Sequence, residues 1–357
     1  MHELRLLIIT LCLFLSLGQV KPFCQLGENY IWTNHIFAHV VNNRYELLPA
    51  DRFPYNQQIK LLCGGNAPVF STTCQTNGLF NPPLPTLNCS KEIKSSIETV
   101  ARDPTCAFTL YKVGFPFGNT FLEVYRSCYD AKTMTALFSI HKVYPTHLTS
   151  YRRKSWDRDN LISPADEALF TKEKIYERFK TLLGTGQTYI SSKSTDSFDR
   201  GHLTPSADYT FYKVLGLTNK YLNVIAQSSS INRGRWAQIE KWVRDQVSNG
   251  QYDVLKVCTG GLEVLELNDT HQNPIQIYLG PGKLPVPKWT YKIVSHASGH
   301  NVVILMTNNG WENNALNPAS VCRRVSCPQG INTAGNTFCC DHFDFIARNV
   351  PWLTGVC

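Results

Sequence analysis

The sequence predicts an α+β protein in two parts: a small cysteine-rich β unit, then a larger domain of mixed strands and helices. Three observations carry this expectation. Residues 24–95 hold Cys24, Cys63, Cys74 and Cys89 among short strand-like runs and the turn-rich stretch Asn81-Pro82-Pro83-Leu84-Pro85. Beyond Cys106, aromatic and β-branched runs of strand length recur. Between these runs lie two stretches whose apolar residues return at helical spacing. A chain of 357 residues, 43% hydrophobic and 17% charged, can bury a sizeable core in one large domain or two smaller ones.

The N-terminus comes first. Arg5 precedes an apolar run over 6–17, followed by Gly18 and Gln19. This is the pattern of a secretory signal peptide over residues 1–20, with the mature chain starting between residues 19 and 24. The run is short for a bilayer, and no other uninterrupted apolar run approaches ~20 residues. A secreted, extracellular protein without a membrane partner is expected. Of 13 cysteines, Cys12 falls in the signal, and the other twelve, an even number in an exported chain, imply disulfides. The rival reading is a zinc site at Cys322, Cys327, Cys339 and Cys340 near His342; the absence of a CxxC pair counts against it. Asn88-Cys89-Ser90 and Asn268-Asp269-Thr270 are glycosylation sequons, so Asn88 and Asn268 are expected on the surface.

Within the β unit, 58–63 is strand-like, and 91–102 reads as a polar connector. Residues 121–129 and 133–144 have strand composition. Ser163-Pro164-Ala165-Asp166 opens a helical pattern, with Phe170, Ile175, Phe179, Leu182 and Leu183 inward and Lys172, Lys174, Arg178 and Lys180 on its solvated face. Residues 184–197 are Gly/Ser/Thr-rich and suit a loop. Residues 223–250 read as the clearest helix, with Trp236, Ile239, Val243 and Val247 along one face and Asn249-Gly250 at the end. Downstream, 254–258, 275–279, 291–294 and 302–306 read as buried strands, broken by Gly280-Pro281-Gly282 and by 285–287.

The chemistry concentrates in Ser197-Phe198-Asp199-Arg200-Gly201-His202-Leu203-Thr204-Pro205 and in Asn223, Gln227, Asn232, Trp236 and Glu240 downstream. Phosphodiester hydrolysis needs a base for the attacking water, neutralisation of the pentavalent phosphate, and stabilisation of the departing oxygen. An imidazole such as His202 takes a proton from water near neutral pH. Arg200 can hold a phosphate by two parallel hydrogen bonds. Two apart in an extended segment, Arg200 and His202 share a face. The amide oxygen of Asn232 suits Mg²⁺ as a weak ligand that leaves most of the shell to water. Glu240, eight residues on, falls on the same side of a continuous helix, where it can bind the metal's waters or orient His202. Singly, each residue has a plainer reading: a structural histidine, a helix-capping asparagine, a solvated glutamate, a core tryptophan. Their co-occurrence is what points to phosphodiester hydrolysis. The net charge of +8 fits a polyanionic partner as well as it fits solubility.

These residues resemble the signature of the DNA/RNA non-specific endonucleases, the ββα-metal nucleases related to the Serratia enzyme. The resemblance covers 105–357. Leu110-Tyr111-Lys112-Val113-Gly114-Phe115, 124–130 and Leu284-Pro285-Val286-Pro287-Lys288 look like its secreted arthropod branch, the sand-fly-type salivary endonucleases. The resemblance implies a central antiparallel sheet with a strand–loop–helix metal site on one side. It implies His202 as general base, Asn232 as the direct protein ligand of Mg²⁺ (Mn²⁺ substituting), Arg200 on the phosphate and Glu240 beside the metal. Asp199 would be structural, and Asn223 and Gln227 would support or line the site. The family's upstream phosphate-binding arginine falls in Tyr151-Arg152-Arg153-Lys154-Ser155-Trp156, with Arg153 favoured over Arg152. The implied activity cuts double- and single-stranded DNA, with RNA a further candidate, to 5′-phosphate ends, without reading sequence and with strong salt dependence. Degrading extracellular DNA in saliva is the implied purpose. The stretch from Cys63 to Cys89 is similar to the second half of a complement-control (sushi) module, which implies Cys24–Cys74 and Cys63–Cys89 bridges; a family-specific β extension stays open. The competing reading is a secreted factor on the same fold, catalytically inactive, that binds nucleic acid or host proteins. Retention of both His202 and Asn232 argues against it, while host proteins stay open as partners of the N-terminal unit.

Overall fold

In the computed structural model, which describes residues 23–65, 67–148, 155–312 and 316–357, a five-stranded antiparallel sheet dominates the N-terminal part. Its order is Arg44–Leu47, Ile36–Val41, Gln58–Leu62, Phe70–Cys74, Phe80–Asn81, and Phe23–Gln25 pairs with Arg52–Pro54 beside it. Ile59 and Leu61 point inward with Lys60 between them, the period-two pattern of a strand with one face buried. Bridges Cys24–Cys74 and Cys63–Cys89 staple the unit. This is the pairing implied by the sushi resemblance. The expected signal and Arg153 lie outside the described residues.

The larger part is organised on a nine-stranded antiparallel sheet. We number its strands, and the hairpin and helices around it, in chain order: β1 (Ser96–Val100), β2 (Thr109–Phe117), β3 (Thr120–Asp130), β4 (Thr135–Val143), α1 (Lys172–Leu183), β5 (Phe198–His202), β6 (Val224–Ser228), α2 (Ala237–Ser248), β7 (Leu255–Val264), β8 (Pro287–Ser295), β9 (Asn301–Thr307), β10 (Arg324–Val325), β11 (Thr337–Cys340) and α3 (His342–Asn349). The sheet order is β10-β11-β9-β8-β7-β4-β3-β2-β1. The fold is therefore α+β around a central antiparallel sheet. Strands β8 and β9 are buried on both faces, which is why Val302–Met306 of β9 runs apolar without alternation, while β8 carries Thr290 and Lys292 buried between its apolar residues. On one face Val257, Val294, Ile304 and Met306 meet Trp236, Ile239, Val243 and Val247 of the α2 region. On the other, Ile293, Val303 and Leu305 meet Phe345, Ile346 and Leu353 of the C-terminal segment. α1 is capped by Thr171, whose hydroxyl accepts from the Lys174 N–H, and Ile175, Phe179 and Leu183 are buried. α2 ends at Gly250, at φ +74°, as its C-terminal glycine leads one to expect.

Three expectations are corrected. Within the connector expected at 91–102, residues 96–100 form β1, the sheet's edge strand. An edge strand faces solvent and carries alternating polar residues, so its composition conceals it. Residues 224–228 are not helical; they form β6, buried throughout and paired with β5. The helical periodicity of that window came from 236–247 alone, and a short apolar run such as Val224-Ile225-Ala226 carries no period that separates strand from helix. Third, Asn232 and Glu240 do not share one regular helix. Asn232–Trp236 is a widened turn with Gly234 at φ −103°, ψ −109°, so spacing by helical turns does not align the two side chains. The cysteines weighed as a zinc site are bridged, Cys322–Cys340 and Cys327–Cys339, and Cys106–Cys128 and Cys258–Cys357 complete six disulfides.

Candidate active site

The hairpin of β5 and β6 lies against the α2 face of the sheet and carries the Asp199–His202 tetrapeptide. Its glycine has a steric reason: a Cβ on Gly201 would come within 2.5 Å of the Gln227 side chain on β6. Alternation along β5 turns Arg200 and His202 to one face, and both touch the same indole. The His202 ring stacks on Trp156 with centroids 5.2 Å apart and planes at 29°. The Arg200 guanidinium lies 5.2 Å over Trp156 and 5.5 Å over each of Phe170 and Tyr221. Arg200 forms no ion pair among the described residues, and its Nε is buried without a hydrogen-bond partner. A cation held by rings and left without a carboxylate is suited to receive an anion.

His202 Nε2 stands 2.9 Å from Asn219 Oδ1. With the amide oxygen as acceptor, Nε2 carries the proton and Nδ1 keeps its lone pair. Burial holds the His202 imidazole below its ordinary pKa, and the Asn219 bond opposes that shift. The ring is therefore neutral at pH 7, the form that accepts a proton. Asn223 fixes the backbone around it: Oδ1 accepts from the Thr204 N–H, and Nδ2 donates to the carbonyls of Thr204 and Thr218, each at 2.9 Å. Gln227 is fully buried beside Gly201, with neither amide atom hydrogen-bonded.

On the other face of β5, the Asp199 carboxylate gathers four donors. It accepts from Ser229 Oγ at 3.0 Å, Asn232 Nδ2 at 2.9 Å, Arg233 Nε at 2.9 Å and Arg233 Nη2 at 2.6 Å. The amide nitrogen of Asn232 is thus engaged, and its Oδ1 is left as an acceptor. Asp199 lies three residues before His202, which places its Cα roughly 10 Å along the strand. No hydrogen bond joins Asn232 to His202 or to Glu240 among the described residues.

Glu240 belongs instead to a buried polar layer between α2 and the sheet. Burial pushes its carboxyl up to about 7; Asp208 adds to the rise, while the Lys292 and Arg244 cations and the Trp236 indole oppose it. Lys292 is 1% exposed, donates to Thr259 Oγ1 at 2.7 Å and sits 5.2 Å over Trp236. Asp208 meets His141 Nε2 at 2.8 Å and Arg244 Nη1 at 3.0 Å, bonds that hold its carboxyl below the usual range although burial alone would raise it. His141 Nδ1 reaches Thr204 Oγ1 at 3.3 Å, so this layer touches the turn just after His202.

The site chemistry fits a hydrated hard cation. Among the described residues the one cluster of three ligand-type side chains is His35, Cys63 and Cys89, and the two cysteines are bonded to each other. What the widened turn after the hairpin offers is a neutral oxygen, Asn232 Oδ1, on an amide oriented by the Asp199 carboxylate. Such a donor set matches a cation that keeps most of its water.

The profile of the DNA/RNA non-specific endonuclease family matches residues 106–345. The chain belongs to that family. Among curated relatives of this endonuclease, the "Salivary endonuclease" of Lutzomyia longipalpis is 30% identical over 82% of this chain and 73% of its own. "Salivary protein Tsal2A" of Glossina morsitans morsitans is 22% identical over 82% of this chain and 80% of its own. Human mitochondrial endonuclease G is 26% identical over 48% of this chain and 52% of its own. A solved EndoG/EndoGI complex aligns with a TM-score of 0.38 and 20% identity over 56% of this chain and 79% of that one. The protein is a hydrolytic nuclease with nucleic acid as substrate, from a metal-dependent family.

Sequence reasoning missed Asn219 and undervalued Trp156, which stood in a stretch singled out for its arginines. Asn219 stands in the polar stretch Thr218-Asn219-Lys220, where nothing in the sequence sets it apart.

Proposed function

We propose that the chain is a secreted, Mg²⁺-dependent endonuclease that cuts double- and single-stranded DNA, and RNA as a further substrate, to 5′-phosphate ends, with His202 as the general base. The observation that carries this reading is a neutral imidazole beside a guanidinium without a carboxylate partner, both on one strand face. Nδ1 of His202 takes the proton of the attacking water, while Asn219 and Trp156 hold the ring. Arg200 binds the non-bridging phosphate oxygens, and its charge grows in worth as negative charge builds on the pentavalent phosphate. Asn232 Oδ1 would hold Mg²⁺, with Mn²⁺ as substitute; when bound, the cation supplies positive charge to the phosphate and the departing 3′ oxygen. Glu240, half-buried and within electrostatic reach of Lys292, Arg244 and Asp208, sets the charge on the α2 side of the site. Arg153, outside the described residues, is the upstream arginine offered for a second phosphate contact.

Secretion is supported by the signal-like N-terminus and six disulfides, and by the salivary naming of two relatives. Asn88 and Asn268 are exposed, as glycan acceptors must be. No helix among the described residues is long and apolar enough to cross a membrane. Degrading extracellular DNA in saliva is the purpose these features support. The test is plasmid digestion by wild type with Mg²⁺, by wild type with EDTA, and by His202→Ala. Wild type with Mg²⁺ alone should cut. Equal cutting by the variant removes His202 as base, cutting in EDTA removes the metal, and DNA bound but left whole returns the reading to an inactive binding factor.

A further inference from the structure

The N-terminal unit has no assigned task. Its Arg44–Leu47 strand lies along β3, and beyond that contact it grips two further segments of the nuclease part. Phe37 stacks on Phe211 with centroids 4.6 Å apart and planes at 20°, Trp32 meets Tyr212 at 5.6 Å, and Lys213 Nζ meets Glu92 Oε2 at 2.8 Å. Asp51, fully buried, accepts from the backbone N–H of His147 at 3.0 Å and of Leu148 at 2.6 Å, and lies 3.2 Å from His147 Nδ1. Thr210 Oγ1 donates to the Leu148 carbonyl at 3.4 Å, which ties the two gripped segments together. One continuous apolar core runs from Leu26, Phe37 and Ile59 to Phe211, Leu217 and Leu203. A further contact, Tyr45 edge-on to Phe117, reaches the sheet margin.

The gripped residues 211–213 belong to the connection between β5 and β6. From Lys213 the chain passes through the short helix Tyr212–Leu215 and the turn Gly216–Thr218, then reaches Asn219, whose amide holds the His202 ring. That connection makes little sheet of its own. It is fixed by Tyr125, which donates to the Leu217 carbonyl at 2.9 Å, by Asn223 Nδ2 on the Thr218 carbonyl and the Asp157 N–H on the Asn219 carbonyl, each at 2.9 Å, and by the N-terminal unit around residues 211–213.

We propose that the N-terminal unit is a built-in positioning element of the active site, acting on His202 through the segment that carries Asn219. Phe37 and Trp32 are its positioning residues: they touch neither substrate nor reacting atoms, and they set where Asn219 stands. Packed interiors transmit displacement because they have few voids to absorb it. A shift of a fraction of an ångström at Phe211 therefore reaches the Asn219 amide and turns the imaginary line from Nδ1 to the attacking water. The inference rests on His202 serving as the base.

The test is a double-mutant cycle in the full-length protein, with kcat and KM on plasmid DNA. Phe37→Leu keeps an apolar side chain and loses the ring stack; kcat should fall roughly threefold to tenfold, with KM within about twofold. In an Asn219→Ala background, the same Phe37→Leu change should alter kcat by less than about twofold, because both act through one contact. Lys60→Gln, on the same sheet with its ammonium on Ser71 Oγ, should leave kcat unchanged. If the effects of Phe37→Leu and Asn219→Ala multiply, or if Phe37→Leu leaves kcat intact, the positioning role is overturned. If Asn219→Ala keeps full kcat, the positioning role is overturned as well; if His202→Ala keeps full kcat, the reading of His202 as base fails instead, and the two failures are told apart. Should Phe37→Leu lose its cooperative melting transition, Trp32→Phe enters the same cycle with the same criteria.

Discussion

Asp199→Asn tests the metal side of the site most directly. The carboxylate presents Oδ2 to Asn232 Nδ2 and Arg233 Nε, and Oδ1 to Arg233 Nη2 and Ser229 Oγ. An amide replaces one of these acceptors with a donor, and in either orientation that donor meets an Arg233 N–H. If its NH₂ takes the Oδ2 position, it also faces the Asn232 NH₂, and the Asn232 amide must turn its oxygen toward it. The oxygen offered to the cation is then exchanged for a donor. Charge-assisted bonds are worth about 1.5–3 kcal/mol when shielded. Arg233 is 58% exposed, so solvent screening reduces the loss of fold stability to about 1 kcal/mol. The effect on the cation should be larger: loss of a group that orients a ligand lowers affinity about 10–100-fold. The assay is Mn²⁺ binding by electron paramagnetic resonance, with Asn232→Ala as the positive control. Arg233→Ala, which leaves Asp199 on Asn232, should change affinity by less than about threefold. Wild-type Mn²⁺ affinity in Asp199→Asn, alongside loss in Asn232→Ala, would refute the reasoning.

Other outcomes follow from the same geometry. His202→Ala should lower kcat by about 10²–10⁴-fold with little change in melting temperature, since general-base contributions have that size. In wild type, kcat/KM should rise with pH through a pKa below the 6.5 of a free imidazole, because burial disfavours the protonated ring; a limb at or above that value contradicts the burial. Glu240 titrates at about 7 in the fold against an ordinary 4.5, so the native state holds this proton more tightly than the unfolded chain does. Its contribution is present below the unfolded pKa and is lost as pH rises through the folded one. In EDTA, Glu240→Gln should therefore gain stability relative to wild type from pH 5 to pH 8, by up to about 3 kcal/mol, as read by denaturant melts at both pH values. The Cys258–Cys357 bridge spans 99 residues, and replacing both cysteines by alanine should cost about 4–5 kcal/mol in the same melts.

Much of the nuclease core was legible because its signals are local. Strands β3, β4, β8 and β9 declare themselves by branched and aromatic runs, α1 by its periodicity, and the chemistry by types of side chain that few other tasks require together. Edge strand β1 and buried strand β6 were not legible. β1 has the composition of a linker because half of it is wet, and β6 merges with the helix that follows because it is apolar throughout.

What the sequence determined by itself was the inventory: an imidazole and a guanidinium two residues apart, an amide downstream, and thirteen cysteines, twelve of them beyond residue 20. What only the tertiary structure decided was who holds whom. Asn219 reaches His202 from 17 residues away, Trp156 from 46, and Asp199 turns Asn232 across 33. Contacts of this kind are set by the path of loops and the packing of a sheet, and loop paths depend on partners far along the chain, whereas periodicity and propensity are properties of neighbours.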